Sequence, residues 1–311
     1  MIKITIIAPA YNEEGCINEF YKRTKNVLTS LPDVRWSFLF VVDPSTDKTY
    51  EILEEIARLD PLVRVIVLSR RFGHQMSLLA GIENAFDDDA FIMMDCDLQH
   101  PPELILKLFK EFTNGHDVIY TIRGDTMGLS QARKNIGNIF YSTLNFFSDI
   151  KIPANSADFR LISKRVRYAL ISDFKERDLF LRGIFSWIGF SQIAIPYVAE
   201  ERFSGQTKFS VRSMFNMGIN GIISFSTKPL RVSMYLGGIF ALLAFVLASY
   251  LIARFFINSD VPNGWTTIVV LLLFFSAIQL IVLGILGAYI ASIYDETKNR
   301  PRYIIDKFIN K

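Results

Sequence analysis

Over roughly the first 225 positions, short apolar runs alternate with polar clusters and with stretches of helical period. Ile2 to Ala8 is one such run, ended by Pro9-Ala10-Tyr11-Asn12-Glu13-Glu14 and followed by an amphipathic stretch carrying Ile17, Phe20, Tyr21 and Val27. The pattern predicts strand, loop and helix in that order. Phe38 to Val42 repeats it, with Asp43-Pro44-Ser45-Thr46-Asp47 as the loop and Tyr50, Ile52, Leu53 and Ile56 on the helix. Arg64 to Leu68 predicts a third strand, leading into a helical segment that reaches Ala85, and Ala90 to Met94 a fourth. Such alternation predicts an α/β domain, its sheet mostly parallel and covered on both faces.

The pattern changes at Val232. Val232 to Ile257 and Trp265 to Ile293 are apolar runs, the second uncharged and the first carrying only Arg254 near its far end. Each exceeds the roughly 20 residues needed to cross a bilayer core. The connector Asn258 to Gly264 holds Asp260 and no basic residue. Lys228 and Arg231 precede the pair, and Lys298, Arg300, Arg302, Lys307 and Lys311 follow it. The positive-inside rule then predicts a hairpin in the inner or plasma membrane, multi-pass, with the α/β domain and both termini cytoplasmic. The expected layout is a domain over 1–208, a juxtamembrane amphipathic segment over 209–231, membrane helices over 232–257 and 265–293, and a basic tail over 294–311. The aromatic and basic residues from Asp295 to Lys311 suit a helix lying at the interface, or one packed on the domain. Gly237-Gly238, or Gly284 with Ala288, would present small-residue faces for homo-oligomer formation in the membrane.

Composition is consistent with a water-exposed domain on a membrane anchor: 50% hydrophobic but 21% charged residues. A net charge of +3 is too small for a nucleic-acid binder. Cys16 and Cys96 lack metal-type spacing and read as buried reduced thiols. Ile4 to Ala10 is too short for a signal peptide, so export of the domain is not expected.

In a parallel sheet, ligands sit beyond the C-terminal ends of the strands. The polar clusters at Tyr11-Asn12-Glu13, Asp43-Pro44-Ser45 and Asp95-Cys96-Asp97 each follow a strand directly, so all three should converge on one crevice. Asp47 and Ser45 read equally well as site residues or as mere helix caps and turn residues. At a strand end, residues two apart point the same way, so Asp95 and Asp97 can face one Mg²⁺ or Mn²⁺. The three histidines, His74, His100 and His116, are scattered and predict no zinc site; for His100 a capping or packing role is expected.

Together with Asp158-Phe159-Arg160-Leu161 and Glu201-Arg202-Phe203-Ser204-Gly205-Gln206-Thr207-Lys208, the segments Pro9 to Glu13, Asp43 to Asp47 and Asp95 to Pro102 resemble the family-two glycosyltransferases of GT-A (Rossmann-like) fold. Within these, the chain is similar to the polyprenyl-phosphate glycosyltransferases, which include dolichol-phosphate mannose synthases and bactoprenol glucosyltransferases. The C-terminal helix pair, preceded by Phe225 to Leu230, resembles the latter branch, so the resemblance covers essentially the whole chain.

The resemblance implies that Pro9, Tyr11, Glu13, Asp43 and Asp95 hold the nucleotide of a UDP-sugar, and that Asp95, Asp97 and Gln99 bind the metal and diphosphate. It further implies that Asp158 and Arg160 line a sugar pocket, a structural ion pair being the alternative. Bringing a lipid phosphate up to a diphosphate calls for basic residues. The candidates are Arg123, Arg133, Arg202 and Lys208, acting with Asp97 as the catalytic set. Two departures from the family pattern are visible. Val42-Asp43-Pro44 stands where two aspartates and a glycine are usual, and Gly137 stands where a serine often follows the arginine matched by Arg133.

An alkyl phosphate has a second pKa near about 6 and is already largely ionised at neutral pH, so no strong general base is needed. A single in-line displacement would then invert the anomeric centre. The expected reaction moves one sugar, with glucose first and another hexose or an amino-pentose as alternatives, to polyprenyl phosphate at the cytoplasmic face. A separate flippase would act on the product. A processive synthase would need more membrane helices and a Gln-x-x-Arg-Trp motif, neither of which is present. A catalytically silent binding module would predict loss of the metal or phosphate ligands, and Asp95, Asp97, Arg202 and Lys208 are all there.

Overall fold

The computed structural model describes residues 1–124, 142, 145–146, 153, 156–177, 179–198, 200, 226–258 and 264–310. Four strands, β1 (Ile2–Ala10), β2 (Val34–Val42), β3 (Val63–Leu68) and β4 (Ala90–Met93), pair in parallel in the order β4-β1-β2-β3. Between them run α1 (Ile17–Thr29), α2 (Thr49–Leu59) and α3 (His74–Asn84). These are the elements the hydrophobic pattern predicts.

Beyond α4 (Leu104–Thr113) the chain adds elements the pattern did not predict: β5 (Val118–Arg123), β6 (Ser156–Ser163), α5 (Lys164–Asp173), α6 (Leu181–Trp187) and β7 (Gln192–Tyr197). β6 runs antiparallel to β4 and β5, and β7 is parallel to β5. With β8 (Ile305–Ile309) antiparallel to β3, the full order is β7-β5-β6-β4-β1-β2-β3-β8.

Strand alternation sorts side chains to the two faces. Ile4, Ile6, Phe38 and Phe40 pack on one side with Phe20 of α1, Leu53 of α2 and Leu108 of α4. Ile7, Leu39 and Val41 pack on the other with Leu79 of α3, Val166 of α5 and Phe185 of α6. Helix α1 buries Ile17, Phe20, Thr24 and Leu28, one stripe at helical spacing. Phe20, Phe38 and Phe40 are fully buried, and Phe38 stacks on Phe40 at 5.7 Å. Each such ring contributes about 1.5–3 kcal/mol of burial.

The two apolar runs form α7 (Lys228–Asn258) and α8 (Trp265–Thr297). They touch through Phe240, whose ring meets Phe274 and Phe275 edge-on, while Leu242, Phe245, Leu272 and Ile281 stay exposed. Both helices are long and apolar enough to cross a membrane, and their apolar surface is uncovered by the domain.

One expectation is corrected. The helix expected over Asp295 to Lys311 stops at Thr297, the end of α8, and the chain then becomes strand β8 on the edge of the sheet. A segment of five residues gains more by completing the exposed hydrogen bonds of β3 than by closing a single helical turn. Residues 294–311 therefore include part of the α/β domain, the packed alternative. Of the amphipathic segment expected over 209–231, residues 209–225 lie outside the described residues, and Lys228 to Arg231 form the first turn of α7.

Candidate active site

The C-terminal ends of β1, β2 and β4, the N-terminal end of the antiparallel β6 and the start of α3 enclose a cleft of about 360 Å³. Its wall carries Pro9, Tyr11, Glu13, Asp43, Asp95, Asp97 and Asp158, so the three predicted loops do converge. Arg71, Gly73, His74, Ser77 and Arg182 complete the wall.

Side chains stitch the loops together. Asn12 takes a left-handed conformation (φ 52°), its amide donates to Ser45 Oγ at 3.1 Å, and its Oδ1 accepts from the Thr46 amide at 2.8 Å. Asp47 accepts from the amides of Glu14 at 3.1 Å and Thr49 at 3.0 Å. Ser45 and Asp47 thus take the turn-and-cap reading. Asp43, 3% exposed, accepts from the Phe72 amide at 3.1 Å and the Gly73 amide at 2.9 Å, fixing the start of α3 beside the cleft. Gly73 has φ 92°, which favours a residue without Cβ. Arg71 lies over the Tyr11 ring at 4.1 Å.

Behind β4 the chain turns sharply. Leu98 is left-handed (φ 61°), a conformation costing about 1–2 kcal/mol for a residue with a side chain. It is held by burial at 1% exposure and by the Gln99 amide donating to Asp97 Oδ1 at 3.1 Å. This turn leaves both Asp95 and Asp97 on the cleft wall. Among the described residues no group of three or more His, Cys, Asp or Glu side chains could hold a metal. Two carboxylates are what a Mg²⁺-type ion takes when substrate phosphates and water complete its shell. The donor set fits such an ion. Gln99 is placed by its backbone and is not on the wall.

Asp158 on β6 is held from two sides. Arg182 Nε donates to Oδ1 and Arg182 Nη2 to Oδ2, both at 2.7 Å, and His74 Nε2 lies 3.3 Å from Oδ2. Burial alone would raise its pKa; Arg182 and His74 nevertheless hold it well below the usual carboxylate range. His74 is also 3.5 Å from Asp95 Oδ1. Burial disfavours its charged form, but the two carboxylates outweigh that and lift it to about 9.

Arg160 is not on the wall. It is 3% exposed under α6, over the Phe185 ring at 4.5 Å, and donates to the Ala157 carbonyl at 3.0 Å. His100 is buried, its ring stacked on Phe159 at 5.3 Å. Arg123 ends β5 away from the cleft wall, and Arg133, Arg202 and Lys208 lie outside the described residues. Cys16 and Cys96 are buried and not joined in a disulfide, and burial pushes the Cys96 thiol up.

Arg71, His74 and Arg182 were not singled out from the sequence. The strand-end rule that marked the other loops applies equally to Arg71-Phe72-Gly73-His74 after β3. Arg182 sits on a helix of seven residues with no comparable signal.

The family profile described as Glycosyl transferase family 2 matches residues 5–170. An uncharacterized glycosyltransferase of Bacillus subtilis (strain 168) is 39% identical over 307 residues, covering 98% of this chain and 94% of its own. A prophage bactoprenol glucosyl transferase homolog of Escherichia coli (strain K12) is 37% identical, covering 98% and 99%. The bactoprenol glucosyl transferase of Shigella phage SfII is 37% identical, covering 98% of each chain.

Proposed function

The chain belongs to glycosyl transferase family 2, and from that premise we propose that it transfers one glucose from UDP-glucose to a polyprenyl phosphate, with inversion, at the cytoplasmic face of the membrane. The enzyme class follows from the family. The observation that carries the finer reading is the union of the aspartate-lined cleft with a membrane hairpin whose far end returns to the same sheet as β8. A donor site on a domain tied to the bilayer on both sides of the hairpin suits a water-soluble donor and a lipid acceptor. Relatives that match end to end are named for glucosyl transfer to bactoprenol.

In this reading Tyr11 and Pro9 supply an apolar face to the base, and Glu13 and Asp43 accept from the nucleoside. Asp95 and Asp97 would hold a Mg²⁺ or Mn²⁺, which when bound offsets charge on the diphosphate. Arg71 brings a further positive charge to the same wall. Asp158 is a poor base, because Arg182 and His74 hold it ionised. It serves as a fixed acceptor for donor hydroxyls, and the acceptor phosphate attacks as the anion it already is. Two membrane crossings put both termini on the side of the domain. The product lipid would be moved across the bilayer by a separate flippase.

A panel of donors tests this. The purified protein is offered undecaprenyl phosphate with UDP-glucose, UDP-galactose, UDP-N-acetylglucosamine and a UDP-amino-pentose, and the product lipid is examined by NMR. A β-linked glucosyl lipid from UDP-glucose is expected. Exclusive use of another sugar would shift the substrate to the alternative hexose or amino-pentose, and no transfer from any donor would overturn the reading.

A further inference from the structure

Three of the six buried side-chain atoms without a hydrogen-bond partner among the described residues are Arg123 Nε, His100 Nδ1 and Tyr197 Oη. They are neighbours. Arg123 and Tyr197 are paired positions at the ends of β5 and β7, and the His100 ring lies 5.8 Å from that of Tyr197. The charge of Arg123 is felt at both other groups. His100 is 7% and Tyr197 6% exposed, and the closest acid to His100 Nδ1, Asp95 Oδ2, is 3.9 Å away, outside hydrogen-bond range.

Buried polar groups are nearly always hydrogen-bonded, so a cluster of orphans calls for a ligand that is bound only at work. Two donors fixed in place, a guanidinium and a phenol, with an imidazole whose Nδ1 tautomer can donate, suit an anionic oxygen. Burial lifts the Tyr197 hydroxyl to about 12, so it remains an O–H donor across the working range.

Position tells which anion. The donor cleft is walled from the ends of β1, β2, β4 and β6 and does not include Arg123, His100 or Tyr197. The orphans gather at the ends of β5 and β7, two and three strands farther along the sheet than β4, while the charges of Asp95 and Asp97 are felt at Tyr197. An in-line reaction places donor and attacking groups on opposite sides of the anomeric carbon, which leaves this niche for the attacking group.

We propose that Tyr197, with His100 and Arg123, binds the phosphate of the acceptor, and that the Tyr197 hydroxyl is a binding residue for that substrate. The inference rests on the reading that the acceptor is a phosphate. The displacement it serves is balanced: a phosphate oxygen forms the new bond to the anomeric carbon as the bond to the diphosphate breaks, and the diphosphate leaves with the electron pair.

Tyr197→Phe removes only the oxygen and keeps the ring packed on His100. Steady-state transfer is measured with undecaprenyl phosphate and UDP-glucose varied in turn, alongside thermal unfolding. The KM for undecaprenyl phosphate should rise roughly 10- to 100-fold, as for loss of one charge-assisted hydrogen bond. The KM for UDP-glucose should stay within about twofold, since Tyr197 is not on the wall of the donor cleft. The unfolding temperature should hold or rise, because an unpartnered buried hydroxyl is removed. An unchanged KM for the lipid, or a lowered unfolding temperature with equal loss toward both substrates, would overturn the proposal. If the native protein transfers no sugar, the function reading fails by itself. Calorimetric binding of undecaprenyl phosphate to the two proteins then decides the niche: weaker binding to the variant supports it, equal binding overturns it.

Discussion

His74 shows what a single residue gains from its surroundings. It opens α3 and faces Asp95 and Asp158, so its charged form is favoured up to a pKa of about 9 against the ordinary 6.5. A raised pKa means the folded state holds a proton that the unfolded chain releases. The stabilisation is complete below about pH 6.5, declines above it and is gone once the pH passes about 9. Thermal unfolding of the chelator-treated protein should therefore fall across that window, and His74→Gln should remove that part of the slope. Identical pH profiles for the two proteins would contradict the ion pairs. At this scale the sequence was informative where chemistry is local. Asp95-Cys96-Asp97 announces itself by spacing, whereas His74 and Arg182 meet Asp158 only because β6, α3 and α6 are brought together across more than 80 and about 24 positions. Arg160 shows the converse: the strand alternation that places Asp158 at the cleft carries Arg160 two residues deeper, beneath α6.

Among the elements, α3 links the most parts. Its start holds Asp43 and presents His74, and its middle lies flat on the sheet at Gly81, where a Cβ would sit 2.3 Å from Ile7 Cγ2 and 3.3 Å from Val41 Cγ2. Its far end is gripped by the C-terminal chain: Arg302 and Tyr303 both bond Glu83, and Tyr303 Oη accepts from Asn84 Nδ2 at 2.9 Å. Gly81→Ala should push α3 off β1 at a cost of about 1–3 kcal/mol, as overpacking does. UDP binding should weaken with it, because the anchor of Asp43 moves. Denaturant unfolding and UDP calorimetry check both, and native stability with native affinity would contradict this packing. Strands β1 to β4 were legible because each is a β-branched run before a polar loop and a helix. The Asp295 to Lys311 segment was misread because Tyr303, Ile304, Phe308 and Ile309 recur at a spacing that suits a helix as well as a strand, and its partner β3 lies some 240 positions away.

On the scale of the whole molecule, the hairpin is closed at both ends. Lys228 begins α7, the last turn of α8 is held by the Arg177 amide donating to Glu296 at 2.7 Å, and past α8 the chain is fastened back by Arg302 on the Phe174 carbonyl at 3.1 Å and by β8. A domain that includes residues from both sides of the hairpin requires an even number of crossings. Cysteines introduced at Lys3 and Lys298 should therefore react with an impermeant maleimide only from the cytoplasmic side, and one at Asn263 only from the opposite side. Labelling of positions 3 and 298 from different sides would contradict the fold of the tail. Fold class and the two long apolar helices were readable from hydrophobic periodicity alone, while the sewing of the helix pair to the sheet was not, because it depends on contacts between distant parts of the chain.

The most direct measurement of the central claim is transfer of labelled glucose from UDP-glucose to undecaprenyl phosphate by the purified protein, with Mg²⁺ or Mn²⁺ and with chelator, comparing the native chain with Asp97→Asn. The account predicts a labelled lipid that requires the ion and falls by on the order of a hundredfold or more in the variant. Lipid labelled equally well with chelator and by Asp97→Asn would contradict it.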